Sequence, residues 1–143
     1  MNKKNLLFLC TGNSCRSQMA EGWAKTLKSD EFNVYSAGLE THGLNPYAVK
    51  VMNEAGVDIT NQQSQLLTEF DDVKFDYVVT VCSSAHESCP FFPREATVVH
   101  YGFEDPPKMV PADADDETKL DAFREVRDQI KAYVETLPQS LEK

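Results

Sequence analysis

The chain has 143 residues, of which 41% are hydrophobic and 26% charged, so it is long enough for one domain with a hydrophobic core over residues 1–143. Its formal net charge is −9 and its 14 lysines and arginines are scattered, which argues against a nucleic-acid-binding surface. The apolar run at residues 5–9 is too short for a signal peptide or a membrane span. We therefore expect a cytoplasmic protein that binds neither nucleic acid nor membrane.

Strands and helices are predicted to alternate along the first half of the chain. Residues 5–10 form an apolar run typical of a buried strand, and residues 17–28 show helical periodicity. One face of this helix is predicted to carry Met19, Ala20, Trp23 and Leu27. A second strand is predicted at residues 32–37, followed by a helix at residues 46–55 that begins with a proline and stops before Gly56.

The same alternation is predicted in the second half of the chain. Residues 64–70 are expected to form a short helix, and residues 75–82 and 97–100 two further strands. From residue 118 to residue 137, apolar residues recur at helical spacing with charges between them, which predicts a long amphipathic helix. Strands separated by helices require a parallel sheet covered on both faces. The predicted fold class is therefore α/β, as a single three-layer αβα domain around a four-stranded parallel sheet.

The four cysteines are Cys10, Cys15, Cys82 and Cys89. In a reducing cytoplasm we expect them to be thiols at rest, because structural disulfides rarely persist there. The spacings Cys-x4-Cys and Cys-x6-Cys differ from the tight Cys-x2-Cys pairs of most structural zinc sites, so no metal site is predicted. For Cys15, considered alone, an inert buried thiol and a catalytic role are equally open.

The loop between the first strand and the first helix is the main candidate for a binding site. In an open α/β sheet such a loop directs backbone N–H groups at one point in front of the helix, and this point attracts anions. Cys10 lies at the edge of the loop and Arg16 closes it, so amides can surround a tetrahedral oxyanion while the guanidinium binds two of its oxygens. The predicted oxyanion-binding residues are Thr11, Gly12, Asn13, Ser14, Cys15 and Arg16.

Cys10 is the predicted nucleophile of this loop. A helix N-terminus and a nearby arginine both favour thiolate over thiol, and thiolate is the reactive form. Ser17 adds a hydroxyl that can donate a hydrogen bond to the sulfur. Gly12 permits the unusual backbone angles of such a loop, and Asn13 tolerates the left-handed conformation. These residues predict nucleophilic chemistry on a bound oxyanion.

The segment CTGNSCRSQMAEGW, residues 10–23, closely resembles the phosphate-binding loop of the low-molecular-weight tyrosine phosphatase superfamily. More specifically, it is similar to the loop of the thioredoxin-coupled arsenate reductases built on that fold. The segments VYSAGLETHGLNP, DYVVTVCSSAHESCP and GFEDP also resemble the reductase pattern, so the resemblance covers nearly the whole chain. It implies a low-molecular-weight phosphatase-like fold and the reduction of arsenate to arsenite for arsenic detoxification.

The resemblance also implies roles for residues outside the loop. Asp105 matches the family's general acid, which protonates the oxygen that leaves when Cys10 attacks arsenate; a lone Asp-Pro pair would otherwise indicate only a turn. Cys10, Cys82 and Cys89 match the three catalytic cysteines of the reductases, which implies an intramolecular disulfide cascade. Cys15 matches a cysteine that related phosphatases also carry. The implied external reductant is thioredoxin, although hybrid members of the fold use glutathione and glutaredoxin.

Two alternatives to the reductase are open. A low-molecular-weight tyrosine phosphatase regulated by cysteine oxidation would need only Cys10, Arg16 and Asp105 for catalysis. A non-catalytic thiol protein that binds arsenite or a soft metal would need only the thiols. The chain contains both sets, which favours the reductase. In addition, residues 107–109 lack the aromatic side chains with which the phosphatases line a slot for a phenyl ring.

The expected small-molecule partners are oxyanions. Phosphate and sulfate are predicted to compete with arsenate, because the loop recognises charge and shape. No cofactor is predicted: some relatives bind potassium through residues matched here by Asn13, Glu21 and Ser36, but Gln63 and Gln65 occupy the remaining positions. A heptad pattern and a large apolar excess are both absent from the sequence, so we expect a monomer.

Overall fold

The computed structural model describes residues 3–10, 13, 15–41, 43–81, 96–137 and 139–141. Within these residues, four strands form one parallel sheet in the order β2-β1-β3-β4. The strands are Lys4–Cys10 (β1), Phe32–Gly38 (β2), Tyr77–Thr80 (β3) and Thr97–His100 (β4). The α-helices are Arg16–Leu27 (α1), Pro46–Glu54 (α2) and Asp116–Glu135 (α3), and 3-10 helices span Leu67–Phe70, Pro106–Lys108 and Gln139–Leu141. The predicted α/β class with a four-stranded parallel sheet is confirmed.

The side chains of β1 alternate between the two faces of the sheet and divide the hydrophobic core. Leu6, Phe8 and Cys10 belong to a large core that α1, α2 and α3 complete on one face. Leu7 and Leu9 belong to a smaller core, to which β2, β3 and the 3-10 helix before β3 contribute. The four leucine and phenylalanine side chains of residues 6–9 are fully buried, as expected for the central strand of a parallel sheet.

Capping residues determine where α2 and α3 begin and end. The Asn45 side chain accepts a hydrogen bond from the backbone N–H of Tyr47 at 2.9 Å, and the Asp115 side chain accepts one from Thr118 at 2.8 Å. Both satisfy backbone donors at a helix N-terminus. Helix α2 ends just before Gly56, which has a φ of 87° that favours glycine. The predicted start of α2 at a proline and its stop before Gly56 are confirmed.

Three predicted elements differ from the observed ones. The strand predicted at residues 75–82 is limited to Tyr77–Thr80, and its predicted last residue, Cys82, lies outside the described residues. Leu27 was expected on the buried face of α1 but is 39% exposed, because residues 25–27 in the last turn are all exposed to solvent. The helix expected at residues 64–70 is limited to Leu67–Phe70. The stretch before it is extended, because the Gln65 carbonyl accepts a hydrogen bond from the backbone of Gly38 at 2.9 Å and so follows the end of β2.

Helix α1 packs closely against its neighbours. The indole Nε1 of Trp23 donates to the carbonyl oxygen of Arg127 in α3 at 3.2 Å. On another side of the helix, a Cβ atom placed on Gly22 would lie only 2.6 Å from Cγ2 of Ile59. No helix in the described part of the chain is long and apolar enough to cross a membrane.

The carboxyl ends of all four strands lie along one edge of the parallel sheet. Val81 directly follows β3, and its N–H donates to the carbonyl oxygen of Leu9 at 3.0 Å. Leu9 precedes Cys10 in β1. After β4, the N–H of Phe103 donates to the carbonyl oxygen of Val81 at 3.1 Å. The segment that follows β4 therefore passes the end of β1, at the edge where α/β proteins bind ligands.

Candidate active site

Cys10 is the last residue of β1, and its sulfur lies against the first turn of α1. The residue is 3% exposed, and Sγ is 3.0 Å from Oγ of Ser17. The Ser17 oxygen also accepts a hydrogen bond from Nδ2 of Asn13 at 2.8 Å. A thiolate can only accept a hydrogen bond, so next to a Cys10 thiolate the Ser17 hydroxyl is the donor. The predicted nucleophile thus lies within hydrogen-bond distance of a hydroxyl donor.

Asn13 has a left-handed backbone with a φ of 48°, as expected from its residue type. Its Oδ1 accepts a hydrogen bond from the N–H of Gln65 at 2.6 Å, which orients the amide so that Nδ2 points to Ser17. Nε2 of Gln18 donates to the Asn13 carbonyl oxygen at 3.1 Å and to the Gln63 carbonyl oxygen at 2.9 Å. The sequence did not indicate that Gln18 and Gln65 hold Asn13 in place. The structure shows it, because Gln18 is fully buried on α1.

Arg16 is the first residue of α1 and is 4% exposed. Its Nη1 donates to the carbonyl oxygen of Phe103 at 3.1 Å, and its Nε lies 3.8 Å from Oδ1 of Asp105. The guanidinium therefore joins the loop after β1 to the segment after β4. A buried cation at a helix N-terminus adds to the positive potential of the first-turn N–H groups, so this place attracts anions.

Asp105 lies immediately before the 3-10 helix Pro106–Lys108, and its side chain is 20% exposed. The carboxylate faces Arg16 and also lies beside Cys15, whose Sγ is 3.5 Å from Oδ1. The structure thus brings the predicted acid to the predicted oxyanion loop, although the two are 90 residues apart in the chain. A partly exposed carboxyl group at this position can exchange protons with both a ligand and water.

Cys15 is buried beside Asp105 at the start of α1. Burial raises the pKa of its thiol far above the ordinary value, and the negative charge of Asp105 raises it further, whereas Arg16 acts in the opposite direction. Cys15 is therefore protonated at neutral pH, and its S–H donates to the Asp105 carboxylate. Because only thiolate is a strong nucleophile, Cys15 is not a nucleophile in the resting protein.

Several predicted site residues lie outside the described residues. These are Thr11, Gly12 and Ser14 of the loop and the two further cysteines, Cys82 and Cys89. Among the predicted residues that are described, Cys10, Asn13 and Ser17 form one hydrogen-bonded group. Asp105 accepts a hydrogen bond from Cys15 and forms an ion pair with Arg16. The two groups adjoin, because both are built on the first turn of α1 and the residues before it.

Glu21 is a buried carboxylate on α1, four residues after Ser17. It accepts hydrogen bonds from Oγ of Ser36 and from Nζ of Lys25, the latter at 2.5 Å. Of Asn13, Glu21 and Ser36, which were compared above with potassium ligands, only Glu21 is a carboxylate, and Lys25 forms an ion pair with it. Among the described residues, no group of three or more His, Cys, Asp or Glu side chains is arranged to hold a metal ion.

Comparison with known proteins shows close relatives of the whole chain. Residues 5–143 match the family described as low molecular weight phosphotyrosine protein phosphatase. The chain is 51% identical over 140 residues to an arsenate reductase of Halalkalibacterium halodurans, with 98% of this chain and 99% of the relative covered. It is 49% identical over 140 residues to an arsenate reductase of Bacillus subtilis, with 95% and 99% covered.

The solved structures include a similar protein. An arsenate reductase in the phosphate binding state has a TM-score of 0.77 to this chain at 36% sequence identity. The match covers 97% of this chain and 99% of that structure, so the two share the entire fold.

Proposed function

This chain belongs to the low-molecular-weight phosphotyrosine protein phosphatase family and, within it, to the arsenate reductases; we propose that it reduces arsenate to arsenite with Cys10 as the nucleophile. The observation that carries the proposal is the position of the Cys10 sulfur, 3.0 Å from the Ser17 hydroxyl at the first turn of α1. A helix N-terminus stabilises negative charge, so this position suits both a thiolate and the oxyanion that it attacks.

The proposed oxyanion site consists of the backbone of residues 11–16 and the guanidinium of Arg16. Arg16 is buried at the start of α1, and its planar group carries parallel N–H donors that match two oxygens of a tetrahedral anion. Phosphate and sulfate have the same shape as arsenate, so we expect both to compete with it for this site.

The first chemical step is the attack of the Cys10 thiolate on arsenate. An S–As bond forms, one As–O bond breaks, and the departing hydroxyl takes up a proton and leaves as water. Asp105 is the proposed proton donor, because its carboxyl group faces Arg16 at 3.8 Å beside the loop that binds the oxyanion.

The second step transfers two electrons from thiols to arsenic, and the third moves the resulting disulfide away from Cys10. Cys82 attacks the Cys10 sulfur, an S–S bond forms, and the electron pair of the broken S–As bond stays on arsenic, which leaves as arsenite. Cys89 then attacks Cys82, forming the Cys82–Cys89 disulfide and restoring the Cys10 thiolate. The support from the described residues is that Val81, which precedes Cys82 in the chain, is hydrogen-bonded at 3.0 Å to Leu9, which precedes Cys10.

An external dithiol must reduce the Cys82–Cys89 disulfide before a second turnover, and we propose thioredoxin, with glutathione and glutaredoxin as the alternative. The test is arsenate-dependent NADPH oxidation, measured once with thioredoxin and thioredoxin reductase and once with glutathione, glutathione reductase and glutaredoxin. We expect turnover with thioredoxin and none in a Cys10→Ser control. Turnover with the glutaredoxin system alone would mean that glutaredoxin, not thioredoxin, is the reductant. Turnover with neither system would contradict the proposal that the protein reduces arsenate.

A phosphatase is the second candidate, because the family that matches residues 5–143 is described by that activity. It would use Cys10, Arg16 and Asp105 in the same positions and would release the bound phosphate to water. A protein with both Cys82→Ser and Cys89→Ser separates the two functions. A phosphatase would hydrolyse an aryl phosphate equally well with and without these substitutions, whereas the proposed reductase loses arsenate turnover.

We also propose that the protein acts in the cytoplasm as a monomer with one domain over residues 1–143. A reducing compartment keeps the thiols of the cascade reduced between turnovers. Light scattering on the purified protein tests the monomer, and cell fractionation tests the location.

A further inference from the structure

Cys15 makes a contact that the proposed reaction does not use. Its side chain is 4% exposed, and its Sγ lies 3.5 Å from Oδ1 of Asp105. The thiol is protonated for the reasons given above, so S–H is the donor and the carboxylate oxygen is the acceptor. The contact therefore joins a residue of the oxyanion loop directly to the proposed general acid.

A second hydrogen-bearing group faces the same carboxylate oxygen. Nε of Arg16 lies 3.8 Å from Oδ1 of Asp105, and Nη1 of Arg16 donates to the carbonyl oxygen of Phe103 at 3.1 Å. Two consecutive residues, Cys15 and Arg16, thus hold both the side chain of Asp105 and the backbone two positions before it. Because the Cys15 thiol donates to Oδ1 and the Arg16 cation lies on the same side, a proton carried by this carboxyl group is favoured on the other oxygen, Oδ2.

We infer that Cys15 is a positioning residue for Asp105, an inference that rests on the proposed function. Its thiol donates a hydrogen bond to Oδ1 of Asp105, so that Oδ2 delivers the proton. That proton passes to the hydroxyl that leaves arsenic as water while the S–As bond forms at Cys10. Cys15 forms no bond to arsenic and exchanges no electrons in this role. Serine, which also donates a hydrogen bond, is a suitable replacement, whereas alanine is not.

A double-mutant cycle tests this inference, because it separates an effect through Asp105 from a general structural effect. The proteins are wild type, Cys15→Ala, Cys15→Ser, Asp105→Ala and the double variant Cys15→Ala/Asp105→Ala. The measured quantity is the second-order rate of arsenite release at low arsenate without reductant, together with the dissociation constant for inorganic phosphate. The Asp105→Ala variant shows whether the measured rate depends on proton transfer from Asp105.

We expect Cys15→Ala to slow arsenite release by about fivefold, the equivalent of one ordinary hydrogen bond, without changing phosphate affinity. Cys15→Ser should retain the wild-type rate. Cys15→Ala should have no further effect once Asp105 is alanine. The inference is overturned if Cys15→Ala slows the Asp105→Ala protein by the same factor, or if it leaves the wild-type rate unchanged.

The contact itself has a readout that does not depend on arsenate turnover. With Cys10, Cys82 and Cys89 replaced by serine, Cys15 is the only thiol of the chain, and its S–H stretching band in the infrared reports hydrogen bonding. Asp105→Ala should raise the frequency of this band, while Asp113→Ala, at an exposed residue of the following loop, should not. An unchanged band in Asp105→Ala would overturn the inference. If wild-type protein released no arsenite, the proposed function would be wrong. The S–H band would still show whether Cys15 donates a hydrogen bond to Asp105.

Discussion

The sulfur of Cys10 and the hydroxyl oxygen of Ser17 lie 3.0 Å apart, and Nδ2 of Asn13 donates to the same hydroxyl at 2.8 Å. Two polar groups, the Ser17 hydroxyl and behind it the Asn13 amide, are thereby linked in sequence to the thiol at the start of α1. In the proposed reaction the Cys10 thiolate attacks, so a hydrogen bond from Ser17 would act on the reactive state as well as on folding.

Ser17→Ala should therefore slow the reaction of Cys10. The free energy of a hydrogen bond to a charged group corresponds to a change in rate of about 10- to 100-fold, so we expect a decrease in this range. The measurement is the rate of Cys10 alkylation by iodoacetamide at neutral pH, with peptide mapping to identify the modified cysteine. Ser29→Ala, at an exposed serine just after α1, is the matched control. Equal rates for the two variants would show that Ser17 does not support the thiolate.

Arg16→Ala should abolish oxyanion binding, because it removes the buried guanidinium at the start of α1. We expect the affinity for phosphate, measured by calorimetry on the reduced protein, to fall by about 100-fold or more. Arg124→Ala is the matched control, since Arg124 forms its ion pairs among the described residues with the surface carboxylates of Glu54, Glu117 and Asp121. Phosphate binding that survives Arg16→Ala would place the oxyanion elsewhere.

Asp105→Asn should slow formation of the Cys10 adduct with arsenate. The loss of ordinary general-acid catalysis corresponds to roughly 10²–10⁴-fold, and the amide keeps the size of the side chain. The rate is measured by rapid quenching and mass spectrometry of the intact protein, with Asp113→Asn as the control at an exposed position. An adduct that forms at the wild-type rate would leave Asp105 as a turn residue only.

Cys89→Ser should still release one equivalent of arsenite per protein, because Cys89 acts last in the proposed cascade. The product should be a Cys10–Cys82 disulfide that external reductant resolves poorly, so multiple turnover fails. Cys82→Ser should stop earlier, before arsenite is released. Arsenite is quantified after a single addition of arsenate, and peptide mapping identifies the disulfide.

Wild-type protein treated in the same way should accumulate the Cys82–Cys89 disulfide. A Cys10–Cys15 disulfide as the sole product would instead indicate a phosphatase regulated by oxidation. The protonated state of Cys15 in the resting structure argues against that outcome.

Gly22→Ala should destabilise the protein, although alanine is the better helix former. The added Cβ would lie 2.6 Å from Cγ2 of Ile59 and 3.1 Å from Cε of Met52, so the core must shift. We expect a loss of about 1–3 kcal/mol in the free energy of unfolding, measured by urea denaturation. In an Ile59→Ala protein the same substitution should be neutral or stabilising. A destabilisation of equal size in both backgrounds would mean that the close contact is not its cause.

The sheet and the long helix could be predicted because their signals are local. The apolar run at residues 6–9 indicates a central strand, and these residues are fully buried. In α3, Leu120, Phe123 and Val126 are all at most 3% exposed, as their helical spacing predicts. The position of the anion loop also follows from local pattern, since it requires only a strand, a small turn and a helix in sequence.

Contacts between distant segments could not be predicted in the same way. The contact of Cys15 with Asp105 joins residues 90 positions apart, and one sequence carries no signal for such a pair. The hydrogen bond from Gln65 to the Asn13 side chain spans 52 positions, and its donor is a backbone N–H, which every residue type except proline supplies. Roles for Cys82 and Cys89 remain predictions, because both residues lie outside the described part of the chain.

The packing of α1 on α3 has a consequence for the synthesis of the protein. Trp23 in α1 donates to the backbone of Arg127, which the ribosome adds 104 residues later. At ordinary translation rates this interval lasts about 5–20 s, during which the helix that follows Cys10 has no partner in α3. Asp105 and the Phe103 carbonyl also emerge within this interval, after Cys10 has already left the ribosome. The nascent chain therefore carries the Cys10 thiol before it carries Asp105 and α3, so the contacts around Arg16 and Trp23 can be completed only once translation has passed α3.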